Sequence, residues 1–255
     1  MSDREPHGGQ LAFRPCAVIP VFNHEGPLPG VVAALRAADL PCVLVDDASS
    51  PTCAAVLEIQ AQAEQVHLLR LPVNQGKGGA VMAGLREAGR LGFSHALQVD
   101  ADGQHDLSVV AQFLDTARRH PGALICGYPL YDASVPKGRL YARYLTHVWV
   151  WINSLSLQIR DSMCGFRVYP LPATLALLDS ARIGRRMDFD TEILVRLSWR
   201  QQPMHWLPIQ VRYPLDGLSH FRLWHDNWLI SQMHTRLFFG MLVRAPAILW
   251  HRWRR

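Results

Sequence analysis

Short apolar runs alternate along the first half of the chain with segments in which apolar residues recur at helical spacing. The apolar runs predict five β-strands, at residues 16–21, 42–45, 66–71, 96–99 and 123–126. The segments between them predict four helices, at about residues 28–38, 52–63, 78–91 and 107–119. Alternation of this kind is typical of an α/β fold, in which a mostly parallel sheet carries helices on both faces.

The strand–helix alternation stops after Pro129, and the second half of the chain has a different pattern. A loop is predicted at 136–139, followed by a longer aromatic helix at about 140–157. An irregular stretch at 161–169 then precedes a predicted helix at 188–199 and a last strand at 205–213. The chain shows no internal repeat, so we expect one α/β body followed by a distinct tail.

Composition and charge divide the chain into three predicted segments. Residues 1–14 are polar, with proline and glycine, and predict a disordered tail without the apolar core of a signal peptide. Residues 15–222 predict the α/β domain, and the hydrophobic content of 49% is far from a disordered composition. The five cysteines show no CxxC spacing and fit a reducing compartment, so we expect a cytoplasmic protein.

The third segment, residues 223–255, is predicted to be a basic amphipathic helix. The net charge of +5 resides entirely from residue 221 onward, because the preceding part has as many acidic as basic residues. Arg236 and Arg244 alternate with apolar residues at helical spacing, and tryptophans flank them, as in helices that lie in an anionic headgroup layer. The alternative is a helix that packs on the body while its arginines reach out to water. The apolar residues are Ile230, Met233, Leu237, Phe238, Met241 and Leu242.

Two further classes are not expected from these patterns. The longest uncharged apolar stretch of the tail, 237–243, is much shorter than the roughly 20 residues that cross a membrane. The balanced charge of the body leaves no basic stripe for a nucleic acid, so we expect no nucleic-acid partner.

Acidic residues follow two of the predicted strands at the point where each strand ends. Asp100 and Asp102 come directly after 96–99 and are two residues apart, so their side chains can converge. Two carboxylates this close need a cation between them, and oxygen ligands suit Mg²⁺ or Mn²⁺. Asp46 and Asp47 follow 42–45 in the same way. Because ligands bind at the carboxyl ends of strands in open α/β sheets, the pattern predicts one site for a metal-bound polyphosphate.

Several of these candidates also have a purely structural explanation. One of Asp46 and Asp47 is a suitable N-cap for the next helix. The glycine-rich stretch 74–80 lacks the Walker A spacing, and it either lets the backbone approach an anion or forms an ordinary tight turn. Lys77, one of only two lysines in the chain, favours a functional role for this stretch.

The remaining candidates likewise have two explanations each. His105 is either a metal ligand or a residue of the surrounding shell. Three acids at the predicted helix start near 188 either favour the helix dipole or include a catalytic group: Asp188, Asp190 and Glu192. Three arginines either counter phosphates or are surface charges: Arg139, Arg143 and Arg167.

Five motifs occur in an order that resembles a known family. They are 19–23 (Ile-Pro-Val-Phe-Asn), 45–49 (Val-Asp-Asp-Ala-Ser), 74–80 (Asn-Gln-Gly-Lys-Gly-Gly-Ala), 100–105 (Asp-Ala-Asp-Gly-Gln-His) and 164–167 (Cys-Gly-Phe-Arg). Over about residues 15–221 the chain resembles family 2 glycosyltransferases, and within them the dolichyl- or polyprenyl-phosphate mannose and glucose synthases. The resemblance implies a GT-A fold, a mostly parallel sheet with flanking helices, to which this chain adds its C-terminal amphipathic helical segment.

The resemblance implies inverting transfer of a hexose from a GDP- or UDP-hexose to a lipid-linked acceptor, by default polyprenyl phosphate. The enzyme is then expected to be peripheral at the inner face of the membrane. Mg²⁺ or Mn²⁺ is the implied cofactor at Asp100, Asp102 and Gln104, where it neutralises the departing diphosphate. The implied donor-binding positions are Pro20, Asn23, Glu25, Asp46, Asp47, Gly76, Lys77 and Asp100. The implied catalytic positions are Asp102, Asp190, Arg143 and Arg167, of which the arginines lie on the acceptor side.

The chain departs from this branch at positions where phosphate-binding residues are usual. Pro129 stands where the branch has arginine, Ala142 where it has serine, and Pro214 and His220 where it has arginine and lysine. A phosphate acceptor needs no base, whereas a hydroxyl acceptor does, and Asp190 is then the candidate. A lipid or polyketide-like hydroxyl is therefore the second acceptor class. The acids at the strand ends would also suit a nucleotidyltransferase or a non-catalytic module that binds nucleotide sugars.

Overall fold

The structure of the protein, a computed structural model, describes residues 12–130, 137–211 and 223–253. Within these residues, seven strands form one sheet: β1 (Pro15–Val21), β2 (Cys42–Asp46), β3 (Val66–Arg70), β4 (His95–Gln98), β5 (Leu124–Leu130), β6 (Arg167–Pro170) and β7 (Met204–Gln210). The strand order is β3-β2-β1-β4-β6-β5-β7. Strand β6 runs antiparallel to β4 and β5, and the other pairs are parallel. The predicted α/β fold with a mostly parallel sheet is confirmed.

The described part of the chain contains eight α-helices around this sheet: α1 (Leu28–Ala37), α2 (Pro51–Gln60), α3 (Lys77–Arg90), α4 (Val110–Arg119), α5 (Lys137–Ser154), α6 (Leu171–Ser180), α7 (Phe189–Trp199) and α8 (Leu223–Trp253). Ser50 caps α2, because its side chain accepts a hydrogen bond from the N–H of Cys53 and a proline follows it. The prediction that Asp46 or Asp47 caps this helix is therefore wrong, and both acids stay with the strand end.

Each face of the sheet has its own core, because successive residues of a strand point to opposite faces. Cys16 and Val18 of β1 belong to a buried cluster with residues of α3, α6, α7 and α8. Ala17 and Ile19 belong to a second buried cluster with residues of α1, α2 and α4. Burial on both faces explains why the central strands are continuous apolar runs in the sequence.

Every strand and helix predicted for the first half of the chain is present, with bounds that differ by a few residues. The two predicted helices and the strand of the second half are also present. Strand β6 and helix α6 were not predicted from the sequence. Strand β6 has only four residues and carries a buried arginine and a buried tyrosine, so it has no apolar run to mark it. Helix α6 follows it directly, with Pro170 at the N-cap and no side-chain cap.

Helix α8 packs on the body along one side. Met233, Leu237 and Met241 of the predicted apolar stripe are buried where α8 lies against α5 and α7. Arg236 pairs with Glu192 of α7, and Arg244 lies over the ring of Trp199. These three residues of the stripe therefore face the protein, whereas Leu242 of the same stripe is exposed, and both arginines contact α7 while part of each stays open to solvent.

The opposite side of α8 exposes large apolar side chains. Trp224, Trp228 and Trp253 have exposed fractions of 88%, 65% and 81%. Pro246 lies inside this helix and does not end it, because α8 continues to Trp253. Among the described residues, no helix combines the length and the apolarity that crossing a bilayer requires.

The described chain begins slightly before β1. Residues 1–11, which belong to the predicted disordered tail, lie outside the described residues. Phe13 and Arg14 of the same predicted tail contact the body: the N–H of Arg14 donates to Ser94 Oγ (2.8 Å), and the Phe13 ring lies 4.8 Å from the ring of His95. The folded part of the chain therefore begins before β1, at Phe13 or earlier.

Candidate active site

The carboxyl ends of β1, β2 and β4 lie at one edge of the sheet, because these strands are parallel. Pro20 lies near the end of β1, and Asp46 is the last residue of β2. Strand β6 runs the other way, so its first residue, Arg167, reaches the same edge opposite Gln98 of β4 and Cys126 of β5. Side chains from separate motifs meet at this edge, where ligands bind in open α/β sheets.

Asp47 joins the end of β2 to the glycine-rich loop that precedes α3. Its carboxylate oxygens accept hydrogen bonds from the backbone N–H groups of Gln75 (2.6 Å) and Gly76 (2.8 Å). Its carbonyl oxygen accepts another from the side chain of Asn74. Burial raises the pKa of Asp47, and the two N–H donors oppose this rise. Asp47 thus positions the loop, while its contact with a nucleotide stays a prediction.

Asp46 and Asn23 hold the turns after β2 and β1. Asp46 Oδ1 accepts a hydrogen bond from the N–H of Ser49 (2.9 Å), and Asn23 Oδ1 accepts one from the N–H of Ser50 (2.8 Å). Glu25 differs from both, because its Oε2 is buried and has no hydrogen-bond partner among the described residues. Buried acceptors normally have a partner, so the Glu25 oxygen suits a hydroxyl or N–H group of a ligand.

The glycines at the start of α3 allow another segment of the chain to approach closely. Gly76 has a φ of +79°, and a Cβ there would lie 2.8 Å from the carbonyl oxygen of Arg185. A Cβ at Gly78 would lie 2.4 Å from Phe189 Cβ. The N–H of Gly79 donates to the carbonyl oxygen of Arg185 (2.8 Å). Close packing of residues 185–189 against the start of α3 thus explains these glycines, in addition to the ligand or turn predicted from the sequence.

Lys77, the first residue of α3, bridges two acids. Its Nζ lies 2.9 Å from Asp100 Oδ2 and 3.2 Å from Asp190 Oδ2. Burial by itself would lower the pKa of Lys77, but the two carboxylates outweigh it and raise the pKa above its ordinary value. Burial would likewise raise the pKa of Asp100, and Lys77 helps to hold it below its ordinary value. Lys77 is therefore a positive charge beside the predicted metal ligand.

Asp190, at the start of α7, is supported from β4 and β6. Gln98 Nε2 donates to Asp190 Oδ1 (3.2 Å), and the Tyr169 hydroxyl donates to Gln98 Oε1 (3.1 Å). Arg167 Nη1 donates to the Asp190 carbonyl oxygen (2.7 Å) and lies 3.6 Å from Oδ1. All four side chains are buried. The Asp190 carboxylate thus already has a partner at each oxygen, Gln98 at Oδ1 and Lys77 at Oδ2, and it is almost fully buried.

The predicted metal ligands lie in the turn after β4. Asp100 Oδ1 is buried without a hydrogen-bond partner among the described residues, and Asp102 Oδ1 accepts a hydrogen bond from the N–H of Gln104 (3.0 Å). Within the described ranges, no group of three or more His, Cys, Asp or Glu side chains is already arranged around a metal position. A free, buried carboxylate oxygen close in sequence to a second carboxylate and an amide nevertheless fits a hard cation such as Mg²⁺ or Mn²⁺.

His105 lies beside these acids and packs against Phe166, with 5.3 Å between the ring centres. Burial lowers the pKa of His105, and the nearby charges of Asp100 and Asp102 oppose this. Its Nδ1 is buried without a hydrogen-bond partner among the described residues. His105 thus lies beside the predicted metal ligands, with one ring nitrogen free of protein partners among the described residues.

The two predicted acceptor-side arginines have different surroundings. Arg167 is fully buried beneath Asp190, and its Nη2 donates to the carbonyl oxygen of Ser162 (2.9 Å). The expectation that Arg167 contacts the acceptor does not hold, because β6 places its guanidinium below the site. Arg143 of α5 keeps a partly exposed side chain, and its Nε donates to Asp161 (2.7 Å). Burial would raise the pKa of Asp161, but His147 and Arg143 hold it below its ordinary value.

Three further residues belong to the site and were not predicted from the sequence. Gln98 and Tyr169 orient Asp190, and Asp161 holds Arg143. Gln98 had a signal, because it is a polar residue inside the apolar run 96–99. Pro214 and His220 lie outside the described residues, as does the side chain of Arg139.

The sheet order and the acids at its carboxyl edge define the GT-A class of nucleotide-binding fold. The chain belongs to glycosyl transferase family 2, whose sequence profile matches residues 16–177, more than half of its length. The resemblance seen in the motifs is thereby confirmed at the level of the family.

Known relatives extend over most of the chain. An undecaprenyl-phosphate mannosyltransferase of Micrococcus luteus is 28% identical over 199 residues, which cover 73% of this chain and 78% of the relative. A dolichyl-phosphate beta-glucosyltransferase of Drosophila melanogaster is 28% identical over 247 residues, which cover 87% of this chain and 72% of the relative.

Solved structures share the fold at low sequence identity. Glucosyl-3-phosphoglycerate synthase from Mycobacterium tuberculosis, in complex with phosphoglyceric acid, has a TM-score of 0.62 at 16% identity, covering 91% of this chain and 80% of that one. A mannosyltransferase from Pyrobaculum calidifontis, in complex with GDP-Man and Mn²⁺, has a TM-score of 0.57 at 13% identity, covering 91% and 64%. At these identities the likeness establishes the fold alone.

Proposed function

We propose that this protein transfers a hexose, with inversion, from a GDP- or UDP-hexose to a polyprenyl phosphate, and that it uses Mg²⁺ or Mn²⁺. The observation that carries the proposal is the site at the end of β4, where Asp100 has a free buried oxygen beside the positive charge of Lys77. The relatives named for undecaprenyl-phosphate and dolichyl-phosphate support the acceptor class. In this proposal residues 15–222 form the catalytic domain.

Within this proposal the cation is held by Asp100, Asp102 and Gln104. When bound, it supplies a Lewis acid that neutralises the negative charge of the departing diphosphate. Glu25 offers its buried oxygen to the ribose or the base. The other proposed donor-binding residues shape the pocket around it: Pro20, Asn23, Asp46, Asp47, Gly76 and Lys77.

A phosphate acceptor suits the surroundings of Asp190 better than a hydroxyl acceptor does. A phosphate oxygen is already anionic, whereas a hydroxyl loses its proton as it attacks and needs a base. Asp190 is the candidate base, and its carboxylate is already bonded to Lys77 and Gln98. Transfer to a lipid hydroxyl is the second candidate function, because Pro129 and Ala142 stand where phosphate-binding residues are usual in the branch.

The lipid chain of the acceptor lies in a membrane, and two helices expose side chains that suit contact with a membrane surface. The outer side of α8 exposes Trp224, Trp228 and Trp253, and α5 exposes Tyr144 and Leu145. Exposed tryptophan and tyrosine side chains suit the headgroup layer of a membrane. We place the protein at the inner, cytoplasmic face of the membrane, with residues 223–255 as the membrane-surface segment.

The test is an assay of the full chain with radiolabelled GDP-mannose or UDP-glucose, Mn²⁺ and vesicles that contain undecaprenyl phosphate. We expect a sugar-phospholipid that mild acid cleaves, and we expect Asp102→Asn to abolish it while Asp115→Asn, on the exposed face of α4, does not. Asp190→Asn should leave this phosphate transfer measurable, because no base is needed. Release of inorganic pyrophosphate in a parallel assay with GTP or UTP and a hexose 1-phosphate would instead indicate a nucleotidyltransferase.

Two other results would overturn the acceptor assignment. An acid-stable glycolipid that is lost in Asp190→Asn would establish a hydroxyl acceptor with Asp190 as its base. Donor binding without transfer to any lipid and without slow donor hydrolysis would indicate a binding module.

A further inference from the structure

The ammonium of Lys77 lies between two carboxylates that belong to different parts of the site. Asp100, 2.9 Å away, is in the turn that carries the proposed metal ligands, and Asp190, 3.2 Å away, starts α7. One Asp100 oxygen contacts Lys77, and the other has no hydrogen-bond partner among the described residues. Asp100 can therefore bind Lys77 through one oxygen and a ligand through the other.

The two acids differ in how firmly they are held. Asp190 accepts a hydrogen bond from Gln98, whose own orientation is set by Tyr169, and Arg167 bonds its backbone carbonyl. The side chain of Asp100, by contrast, has Lys77 as its bonded partner in the described chain. Asp190 is therefore the fixed partner of Lys77, and Asp100 is the partner that can be released.

The position of the ammonium is also restricted by the backbone at Gly165. A Cβ at this glycine would lie 3.0 Å from Lys77 Nζ, 2.7 Å from Gln98 Nε2 and 3.4 Å from Asp100 Oδ2. The glycine leaves just enough space for the ammonium to lie between the two acids. The ammonium of Lys77 can therefore shift between Asp100 and Asp190 over a short distance, and the backbone at Gly165 limits this movement on one side.

We infer that Lys77 is an internal counter-cation that competes with the divalent cation for Asp100, and that Asp190 is the positioning residue that receives Lys77 when the cation binds. This inference rests on the proposed metal site at Asp100 and Asp102. Like charges repel, so a divalent cation on Asp100 drives the ammonium toward Asp190. In this role Asp190 acts through Lys77 and removes no proton from a substrate.

The inference predicts opposite effects for the two partners of the contact. Lys77→Met removes the competitor and should tighten Mn²⁺ binding about tenfold, the scale of one charge-assisted hydrogen bond. Asp190→Asn removes the second anchor, leaves Lys77 on Asp100 and should weaken Mn²⁺ binding about tenfold. Lys77→Arg keeps the charge and should stay closer to the wild type than Lys77→Met.

A double variant separates competition from a simple change of electric field. If each charge acted independently, Asp190→Asn would weaken Mn²⁺ binding equally with and without Lys77. If Asp190 acts by receiving Lys77, its effect should fall below about twofold in the Lys77→Met background, because nothing is left to receive.

The measurement is a titration of the full-length chain with Mn²⁺ alone, in which electron paramagnetic resonance reports the free ion. Arg90→Met on the exposed face of α3 and Asp115→Asn on α4 are matched controls, since each removes one charge outside the site. Circular dichroism and melting temperature confirm that each variant is folded. The expected result is tighter binding for Lys77→Met, weaker binding for Asp190→Asn and no change for the controls.

Additive effects in the double variant, or unchanged Mn²⁺ affinity in both single variants, would overturn the inference and leave the proposed transferase intact. Failure of the wild type to bind Mn²⁺ would overturn the inference together with the metal assignment. The predicted pattern of affinities in a protein that transfers no sugar would uphold the inference and refute the proposed function.

Discussion

Gly78→Ala tests whether the start of α3 is covered as closely as the structure indicates. The new Cβ would lie 2.4 Å from Phe189 Cβ, 2.8 Å from its Cγ and 2.9 Å from the carbonyl carbon of Arg185. Two of these atoms are close to or within the backbone, so a side-chain rotation cannot relieve the contact. Overpacking of this kind costs about 1–3 kcal/mol. These backbone contacts put the substitution at the upper end of that range, about 3 kcal/mol, and alanine recovers up to about 1 kcal/mol through its helix propensity, so we expect a net loss of about 2 kcal/mol.

The measurement is the free energy of unfolding from urea titration, with the melting temperature as a second reading. A loss of about 2 kcal/mol corresponds to a melting temperature roughly 4–8 °C lower for a chain of this size. Gly30→Ala is the matched control, because Gly30 lies in α1 and a Cβ there would meet nothing within 4 Å. It should be neutral or stabilising by about 0.5–1 kcal/mol. If Gly78→Ala is as stable as Gly30→Ala, the packing of Phe189 against α3 is refuted.

Three further predictions address stability, the membrane surface and the metal. Burial lowers the pKa of His234 from 6.5 to about 4, so between these pH values the unfolded chain binds more protons than the folded chain. The free energy of unfolding should therefore fall as the pH drops from 7 to 4, and His234 should account for up to about 3 kcal/mol of that fall. Urea titrations at pH 7 and pH 4 should show a smaller fall, by this amount, for His234→Gln. Trp228→Glu should reduce cosedimentation of the protein with anionic vesicles, whereas Ile59→Glu should not, because Ile59 is similarly exposed but lies on α2. Equal losses in the two variants would refute the proposal that α8 contacts the membrane. Asp102→Asn should abolish the Mn²⁺-dependent rise in melting temperature with a nucleotide sugar, and Asp115→Asn should preserve it; a shift that survives in Asp102→Asn would remove this residue from the metal site.

The central strands were predictable from sequence because both faces of the sheet are covered. Val43 and Leu44 point to opposite cores, and both are buried, so β2 is a continuous apolar run. Strand β6 escaped prediction for the opposite reason: Arg167 and Tyr169 are buried as members of a hydrogen-bond network, which no hydropathy pattern reports. The sequence likewise did not indicate which side of α8 faces the body, because both sides of this helix are rich in apolar residues.

The acids of the site were predictable from their positions at strand ends, but their partners were not. Asp47 bonds to the loop before α3, and Asp190 bonds to Gln98 of β4, over separations of 28 and 92 residues. Pairings at such separations are set by the sheet order, and β6 enters that order out of sequence. The glycines near residue 78 were assigned to a ligand or a turn for the same reason, since the segment that covers them lies more than 100 residues later.

The charges at the end of β4 explain why metal and donor belong together in the proposed mechanism. Three carboxylates, Asp100, Asp102 and Asp190, stand against two cations, Lys77 and Arg167, so this group is net negative by one charge without a metal. A diphosphate would be repelled by such a group. A divalent cation reverses the sign, and the diphosphate is then attracted to the turn that holds the metal. Because Lys77 contacts both Asp100 and Asp190, the same reversal moves the internal charge toward α7 and opens Asp100 to the cation.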